Sequence, residues 1–339
     1  MNPSIAVVIL NWNGIEHLKT FLPSVVQHAD SAKIYLADNA STDNSVNYVK
    51  QHYPRVHHIQ NKKNEGFAAG YNQALSQLDE DYFILLNSDV EVSENWIQPV
   101  IALMEKDKKI GIAQPKIKSY REKNKFEYAG AGGGMIDALG YPFCRGRIFN
   151  TLEEDHGQYD DSKEVFWASG ACMFIKAAVF RKFNGFDPSY FAHMEEIDLC
   201  WRAKNCGFSV FYVGESTVYH LGGGTMKNTN PKKTYLNFRN SLTTLYKNDQ
   251  SGIKWIKIFL RLFLDGIAFF KLWVDSGSKH AVAILKAHFY FYNSKKQSIK
   301  AENINAKGVY PGSIVLSYYL FKQKKFSQLK YGSKASKKN

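Results

Sequence analysis

Short apolar runs alternate with amphipathic stretches through the first ninety residues. Ile5–Leu10, Lys33–Asp38, Val56–Asn61 and Tyr82–Asn87 have the length and the β-branched or aromatic content of strands. Between them, Ile15–His28, Ser45–His52 and Ala68–Leu78 repeat apolar residues every three or four positions, the spacing of a helix with one buried face. This alternation predicts βαβ units and a mostly parallel sheet, an α/β fold. Each predicted strand runs into a polar cluster: Asn11–Gly14, Asn39–Asp43, Asn61–Gly66 and Asn87–Asp89. Ligands of open α/β sheets sit beyond the carboxyl ends of the strands, so four such clusters predict one site.

Beyond residue 110 the pattern changes. Ile110–Ile117 is a strand by the same criteria. Gly130, Gly132, Gly133, Gly134, Gly140 and Gly146 then predict bends and hairpins. Thr151–Glu164 is acidic and polar, which predicts a mobile loop. Ala171–Lys176 is a strand, Glu195–Cys206 a helix and Phe208–Val213 a strand. Helical spacing resumes at Pro231 and holds to about residue 293, with a short helix near Ser313–Lys322 and a frayed tail at Lys334–Asn339.

The net charge of +13 conceals a division. Residues 1–225 carry 22 basic and 27 acidic side chains, whereas residues 226–339 carry 22 basic and 4 acidic. Within Lys254–Val274 the polar residues Lys254, Lys257, Arg261 and Asp265 share one helix face, and Ile256, Phe259, Leu260, Phe263, Leu264 and Ile267 cover much of the rest. An aromatic cluster at His288–Tyr292 precedes Lys295 and Lys296. A basic amphipathic helix with aromatics predicts attachment to a membrane surface. The alternative is packing on the rest of the chain or on another subunit of a homo-oligomer. No nucleic-acid motif accompanies the charge, so nucleic acid is not expected as a partner. The richest apolar stretch, Trp255–Val274, is broken by Lys257, Arg261, Asp265 and Lys271, so no spanning helix is expected. The opening residues show no basic, apolar and small-residue succession of a secretory leader. Cys144, Cys172, Cys200 and Cys206 have no CxxC spacing, as in a reduced cytoplasmic protein.

Three segments carry candidate chemistry. Leu85–Asp89 displays Asp89 just past a buried strand, where a carboxylate can hold a divalent cation that neutralises a diphosphate; an ordinary turn residue also sits there. Glu195, Glu196 and Asp198 open a helix, where the helix dipole alone favours acids. Glu195 and Glu196 lie about 100° apart around a helix, so one can face a substrate while the other makes structural contacts. His220 ends a strand and precedes Gly222–Gly224; with Asp89 it makes a mixed oxygen and nitrogen donor set suited to Mn²⁺, with Mg²⁺ possible. Asp38 can accept from a pyrimidine N–H, and Asn64–Gly70 puts small residues at a loop-to-helix junction where amides meet ribose or phosphate. No GxGxxG and no GxxxxGK[ST] occurs, which removes the main support for dinucleotide oxidoreductases and P-loop ATPases.

In order, Val7–Gly14, Leu36–Ser45, Asn61–Leu75, Leu85–Val90, Trp167–Lys176, Phe183–Arg202, Val218–Thr225 and Tyr235–Asn240 resemble the family 2 glycosyltransferases of the GT-A fold, rhamnosyltransferase-like and non-processive. The resemblance implies a GT-A nucleotide-binding mixed sheet flanked by helices over residues 1–225. Residues 1–90 would form a nucleotide-binding half and residues 91–225 an acceptor half. Residues 226–339 would form a basic helical extension. It implies an inverting, metal-dependent transfer from a dTDP- or UDP-sugar to a hydroxyl of a glycan or lipid-linked acceptor, at the inner face of the cell membrane. Carried over by position, Asn11, Asp38, Asn39, Asn64, Gly66, Asn87 and Ser88 would line the nucleotide, and Arg239 would reach the diphosphate. Asp89 and His220 would hold the cation. Glu196 would be the catalytic base. Trp167, Gly170 and Glu195 would lie on the acceptor side. Asn87 replaces the first Asp of the family's Asp-x-Asp, and Glu196 replaces an Asp. These departures leave a catalytically silent nucleotide-sugar-binding protein as the alternative, and a nucleotidyltransferase as a further one. Tyr141–Arg147 either lines a sugar pocket or forms a structural hairpin with surface arginines.

Overall fold

A computed structural model describes residues 3–222, 230–294 and 308–329. Gly223, Gly224 and Thr225, Lys295 and Lys296, and the tail Lys334–Asn339 lie outside the described residues.

The first four strands and three helices form where the apolar spacing placed them: β1 (Ile5–Asn11), α1 (Ile15–His28), β2 (Lys33–Asp38), α2 (Ser45–His52), β3 (His57–Gln60), α3 (Gly66–Leu75) and β4 (Tyr82–Asn87). Next come β5 (Val90–Val92), α4 (Gln98–Lys106), β6 (Ile110–Ser119), β7 (Gly134–Asp137), β8 (Pro142–Cys144), β9 (Arg147–Ile148), β10 (Thr151–Leu152), β11 (Ser162–Val165), β12 (Cys172–Lys176), α5 (Ala177–Lys182), α6 (Glu195–Asn205) and β13 (Ser209–His220). The chain ends in α7 (Pro231–Asn248), α8 (Lys254–Ser276), α9 (Ser278–Asn293), β14 (Val309–Tyr310) and α10 (Ile314–Tyr319).

Among the described residues, a nine-stranded sheet runs β11-β13-β6-β12-β4-β1-β2-β3, with β5 paired to β13. β3, β2, β1 and β4 are parallel, and β12 lies antiparallel between β4 and β6, so the sheet is mixed. Alternation along the strands splits the core in two. Ala6, Val8, Phe83 and Leu85 face α3 and the later helices, while Val7, Ile9, Ile84 and Leu86 face α1 and α4. A sheet covered on both faces leaves only its edges and strand ends for ligands. The glycine-dense segment builds most of a second, five-stranded sheet, β10-β9-β8-β7-β14, in which β7 to β10 pair antiparallel and β14, from near the end of the chain, joins β7 in parallel.

Thr151–Glu164, expected to be a mobile loop, is instead pinned at both ends by β10 and β11. Its acids pair with buried or half-buried cations: Asp155 with Lys116 and Lys118, Asp160 with Lys116, Asp161 with Arg145, and Glu164 with Lys204. β13 also runs well past Val213, with a register shift between Val213 and Thr217 that carries the strand on to His220.

Candidate active site

The carboxyl ends of β1 and β2 adjoin, with Asn11 in register with Asp38. Asn11 Nδ2 donates to Asp38 Oδ1 at 3.0 Å and to Ser45 Oγ at 2.9 Å. Asp38 also accepts from the Ser41 amide at 2.9 Å and from Gln60 Nε2 at 2.8 Å. Burial of Asp38 opposes its charge, yet the donors from Ser41, Gln60 and Asn11 prevail and hold its pKa below the usual carboxylate value. Both Asp38 oxygens are thus engaged within the protein, whereas the buried Asn11 Oδ1 has no hydrogen-bond partner among the described residues.

The nucleotide-side loop meets the loop before α6. Asn64 Oδ1 accepts from Asn39 Nδ2 at 3.0 Å and from the Gly66 amide at 2.9 Å. Gly66 has φ +89°, and a Cβ there would lie 2.4 Å from the Phe191 carbonyl oxygen, so only glycine fits. The Phe67 amide donates to that same carbonyl at 2.7 Å. Phe191, His193 and Met194 all hold positive φ (63°, 68° and 75°), a strained run for side-chain-bearing residues. Two neighbours on α7 grip this run. Asn240 Nδ2 donates to the carbonyls of Tyr190, Ala192 and His193 at 3.1, 2.9 and 2.7 Å. Arg239 Nη2 donates to those of Ser189 and Tyr190 at 2.8 and 2.9 Å, and its guanidinium lies over Tyr235 and Tyr290. Arg239, expected to reach a diphosphate, has this nitrogen occupied by the loop.

The strained run delivers Glu195 and Glu196 to the start of α6. Glu195 is buried and Glu196 half-buried, and each has an Oε2 with no partner among the described residues. Burial raises the pKa of both. Glu196 is pushed up to about 7, and Glu195, which also feels the charges of Glu196 and Asp198, is raised well above the usual carboxylate value. Glu196 is thus poised to exchange a proton near neutral pH. His193 beside them is half-buried, and that burial lowers its pKa to about 4. Asp198, the third acid, faces inward to Arg202 Nε at 2.8 Å, Asn248 Nδ2 at 2.8 Å and Lys247 Nζ at 3.2 Å.

At the ends of β4 and β13, His220 Nε2 lies 3.1 Å from Asp89 Oδ1 and 3.5 Å from Asn87 Nδ2. The other ring nitrogen, Nδ1, lies 3.2 Å from Glu127 Oε2. All three charged groups are buried. Burial disfavours the imidazolium, but the two carboxylates outweigh it and raise His220 to about 10. Among the described residues no group of three or more His, Cys, Asp or Glu forms a metal cage. The donor set nonetheless suits a hard or borderline cation. Asp89 would offer one oxygen and His220, once a cation displaced its Nε2 proton, one nitrogen; Glu127 would back the imidazole from its far side, and a diphosphate would complete the shell.

The remaining expected residues divide. The Asn87 amide donates to the Ala171 carbonyl at 3.0 Å, which sets the Trp167–Ala171 loop beside Asn87. Ser88 is half-buried in the turn between Asn87 and Asp89. Trp167 is itself buried, with Nε1 donating to the Met135 carbonyl at 2.8 Å, and a Cβ on Gly170 would touch Phe67 at 3.1 Å. Tyr141–Arg147 forms the hairpin, but its arginines are buried rather than on the surface. Arg145 pairs with Asp161 over Tyr159, and Arg147 lies over Tyr128. Sequence reasoning missed Glu127 and the loop-gripping role of Asn240. Glu127 follows β6 in an unremarkable polar stretch, and no spacing signal links it to His220.

A family model described as "Glycosyl transferase family 2" matches residues 6–183, more than half of the chain. The chain is 28% identical over 239 residues to the N-acetylglucosaminyl-diphospho-decaprenol L-rhamnosyltransferase of Mycobacterium tuberculosis, covering 65% of this chain and 76% of that one. It is 24% identical over 222 residues to the rhamnosyltransferase WbbL of Escherichia coli, covering 64% and 83%. Among solved structures it is similar to the Pyrobaculum calidifontis mannosyltransferase in complex with GDP-Man and Mn²⁺, with TM-score 0.54, 11% identity, and coverage of 87% and 89%. It is also similar to GalNAc-T7 with UDP, GalNAc and Mn²⁺, with TM-score 0.56, 20% identity, and coverage of 72% of this chain and 48% of that one. These neighbours are GT-A glycosyltransferases, which establishes the fold.

Proposed function

The chain belongs to glycosyl transferase family 2, and we propose that it moves a hexose, rhamnose foremost, from a dTDP- or UDP-sugar to a hydroxyl of a glycan or lipid-linked acceptor, with inversion. The observation that carries this reading is Glu196. It is the more accessible of the two adjacent carboxylates, has an unpartnered oxygen, and has a pKa raised to about 7. Inversion needs an acceptor hydroxyl attacking in line, opposite the departing diphosphate, with a nearby base to take its proton. Glu196 has the protonation behaviour of that base. Asn11, Asp38, Asn39, Asn64 and Gly66 line the strand ends where a nucleotide would lie, and Asn87 and Ser88 flank it. Asp89 and His220 would hold a divalent cation, Mn²⁺ or Mg²⁺, which supplies charge neutralisation for the leaving diphosphate. The loop that Trp167 anchors and that carries Gly170 would border the acceptor, and the whole would work peripherally at the inner face of the cell membrane.

The test is nucleoside diphosphate release by the full chain across a panel of dTDP- and UDP-sugars with Mn²⁺. Glu196→Gln is expected to lower kcat by about 10²–10⁴-fold while donor affinity is kept. Undiminished turnover in that variant overturns Glu196 as base. Donor turnover by the unaltered chain excludes the catalytically silent alternative, and release of pyrophosphate in place of nucleoside diphosphate would indicate a nucleotidyltransferase.

A further inference from the structure

The C-terminal helix α8 is inside out. Its inward stripe is Ile258, Arg261 and Asp265, with Arg261 only 2% and Asp265 0% exposed. Arg261 donates to Ser241 Oγ at 2.5 Å, to the Leu139 carbonyl at 3.2 Å and to Asp265 at 3.2 Å, and it lies 3.5 Å over the Tyr141 ring. Asp265 also accepts from Tyr141 at 3.0 Å and sits 3.1 Å from His288 Nε2. Lys257 is bound to Asp249 at 2.8 Å. The polar face is therefore used up against the protein.

What α8 turns outward is apolar. Phe259, Phe263 and Phe270 are 70%, 64% and 66% exposed, and Ile256, Ile267 and Val274 continue the stripe at helical spacing. Trp255 and Trp273 stand exposed near its two ends. From side-chain areas of about 150–250 Å² for the aromatic residues, this face exposes on the order of 1,000 Å², well above the few hundred Å² usual for a soluble monomer's largest patch. A charged pair on its outer edge, Lys271 with Asp275, lies at the C-terminal end. Tyr319 feels the charges of both, so α10 adjoins that end, bringing exposed Leu320 and Phe321 followed by exposed Lys322, Lys324 and Lys325.

We propose that the outward face of α8 inserts into the lipid–water interface of a membrane, holding the protein there by apolar burial rather than by its net positive charge. This deepens the peripheral-membrane part of the function proposed above and rests on it. Among the described residues no helix is long and apolar enough to cross a bilayer, so α8 lies along the surface. Tryptophans near both ends of an apolar stripe, with lysines clustered at one end, suit the headgroup boundary. Charge favours a bilayer over a second copy of the chain. Residues 226–339 carry 22 basic against 4 acidic side chains, so two copies joined at this face would repel, whereas an anionic leaflet attracts.

The test is flotation of the full chain with vesicles of phosphatidylcholine alone and of phosphatidylcholine mixed with phosphatidylglycerol. It is run at about 0.1 M and about 1 M NaCl, across which the screening length falls from about 10 Å to about 3 Å. Binding to both vesicle types is expected, with the bound fraction changing less than about twofold with salt, as for attachment that charge does not dominate. Phe259→Ser, Phe263→Ser and Phe270→Ser together are expected to cut binding at least about tenfold at either salt. Because these side chains are exposed, the melting temperature and donor turnover should stay as in the unaltered chain, which separates loss of attachment from loss of the transferase. Should the triple variant misfold, brominated lipids applied to the unaltered chain decide the question: quenching of Trp255 and Trp273 supports insertion, and unquenched fluorescence overturns it. Binding that disappears at about 1 M salt overturns the proposal. So does binding that survives the triple substitution, or a dimer that the triple substitution dissociates with no vesicle binding.

Discussion

Asn240→Ala is the most informative single change in the site. Asn240 is 2% exposed, and its orientation is set by Arg239 Nε donating to its Oδ1 at 2.7 Å. Its two Nδ2 hydrogens serve three carbonyls of the strained 190–193 run. At about 1 kcal/mol net per hydrogen bond, the clamp contributes about 2 kcal/mol. Phe191, His193 and Met194 at positive φ each store about 1–3 kcal/mol of strain. Clamp and strain are of the same order, so removing the clamp should let the run relax and withdraw Glu196 from its working position. A loss of about 2 kcal/mol corresponds to about a 30-fold fall in kcat. Steady-state kcat with saturating donor reads this directly, and amide exchange of the segment around residues 189–195 should speed up in parallel. The melting temperature should fall by only a few degrees, because the loss is local. A kcat within about twofold of the unaltered chain, with loop amides exchanging equally slowly, would refute the claim that Asn240 sustains the loop.

Other outcomes follow from the same geometry. With burial holding Glu196 at about 7, transfer should rise with pH below about 7 and level above it; a profile flat from about pH 5.5 to about 8 counts against Glu196. The raised value also means that the folded chain binds this proton more tightly than the unfolded one, so its contribution to stability is lost as pH climbs from the ordinary carboxylate range through about 7, which urea titrations at several pH values would register. Asp89→Ala should abolish the rise in melting temperature that Mn²⁺ produces with UDP or dTDP, and removing the metal with EDTA should do the same to the unaltered chain; an undiminished Mn²⁺ shift in the variant rules out Asp89 as ligand. Arg261→Met leaves the buried Asp265 with Tyr141 and His288 but without its guanidinium partner and should cost about 3–5 kcal/mol in urea unfolding, most of it recovered by the double change with Asp265→Leu. A double variant no more stable than Arg261→Met would refute the claim that the cost comes from the Asp265 charge left behind.

What was legible in the sequence was local. Strand β4 declares itself because five successive buried residues end at Asn87, and the polar clusters after β1, β2 and β4 mark the ligand end of the sheet without any knowledge of pairing. What was hidden depends on partners far along the chain. Glu127 meets His220 only because β6 and β13 run parallel side by side, with His220 in register with Ser119. Thr151–Glu164 has the composition of a solvated loop, and the same acids serve equally well as partners for Lys116, Lys118, Arg145 and Lys204. Periodicity in α8 separates two faces correctly but carries no sign. Which face turns inward was decided by Ser241, Leu139, Tyr141 and His288, whose polar atoms meet Arg261 and Asp265.

That inversion ties the outer surface to the chemistry through three consecutive residues of α7. Arg239 and Asn240 hold the strained run before Glu195 and Glu196, and Ser241 accepts from Arg261 of α8. A helix residue followed by its immediate neighbours points in directions about 100° apart, so one turn of α7 can face the catalytic loop on one side and α8 on the other. Asp265 continues the chain to His288 on α9, whose neighbour Tyr290 stacks back on Arg239. The contacts therefore close a ring: α7 to α8, α8 to α9, and α9 to α7 at the residue that grips the loop. Deleting residues 250–339 would remove Arg261, Asp265, His288 and Tyr290 together, stripping α7 of the neighbours that fix Arg239 and Ser241. A truncated chain that lost vesicle binding would also lose the support of its catalytic loop. Only substitutions confined to the exposed phenylalanines of α8 separate where the protein sits from how it reacts.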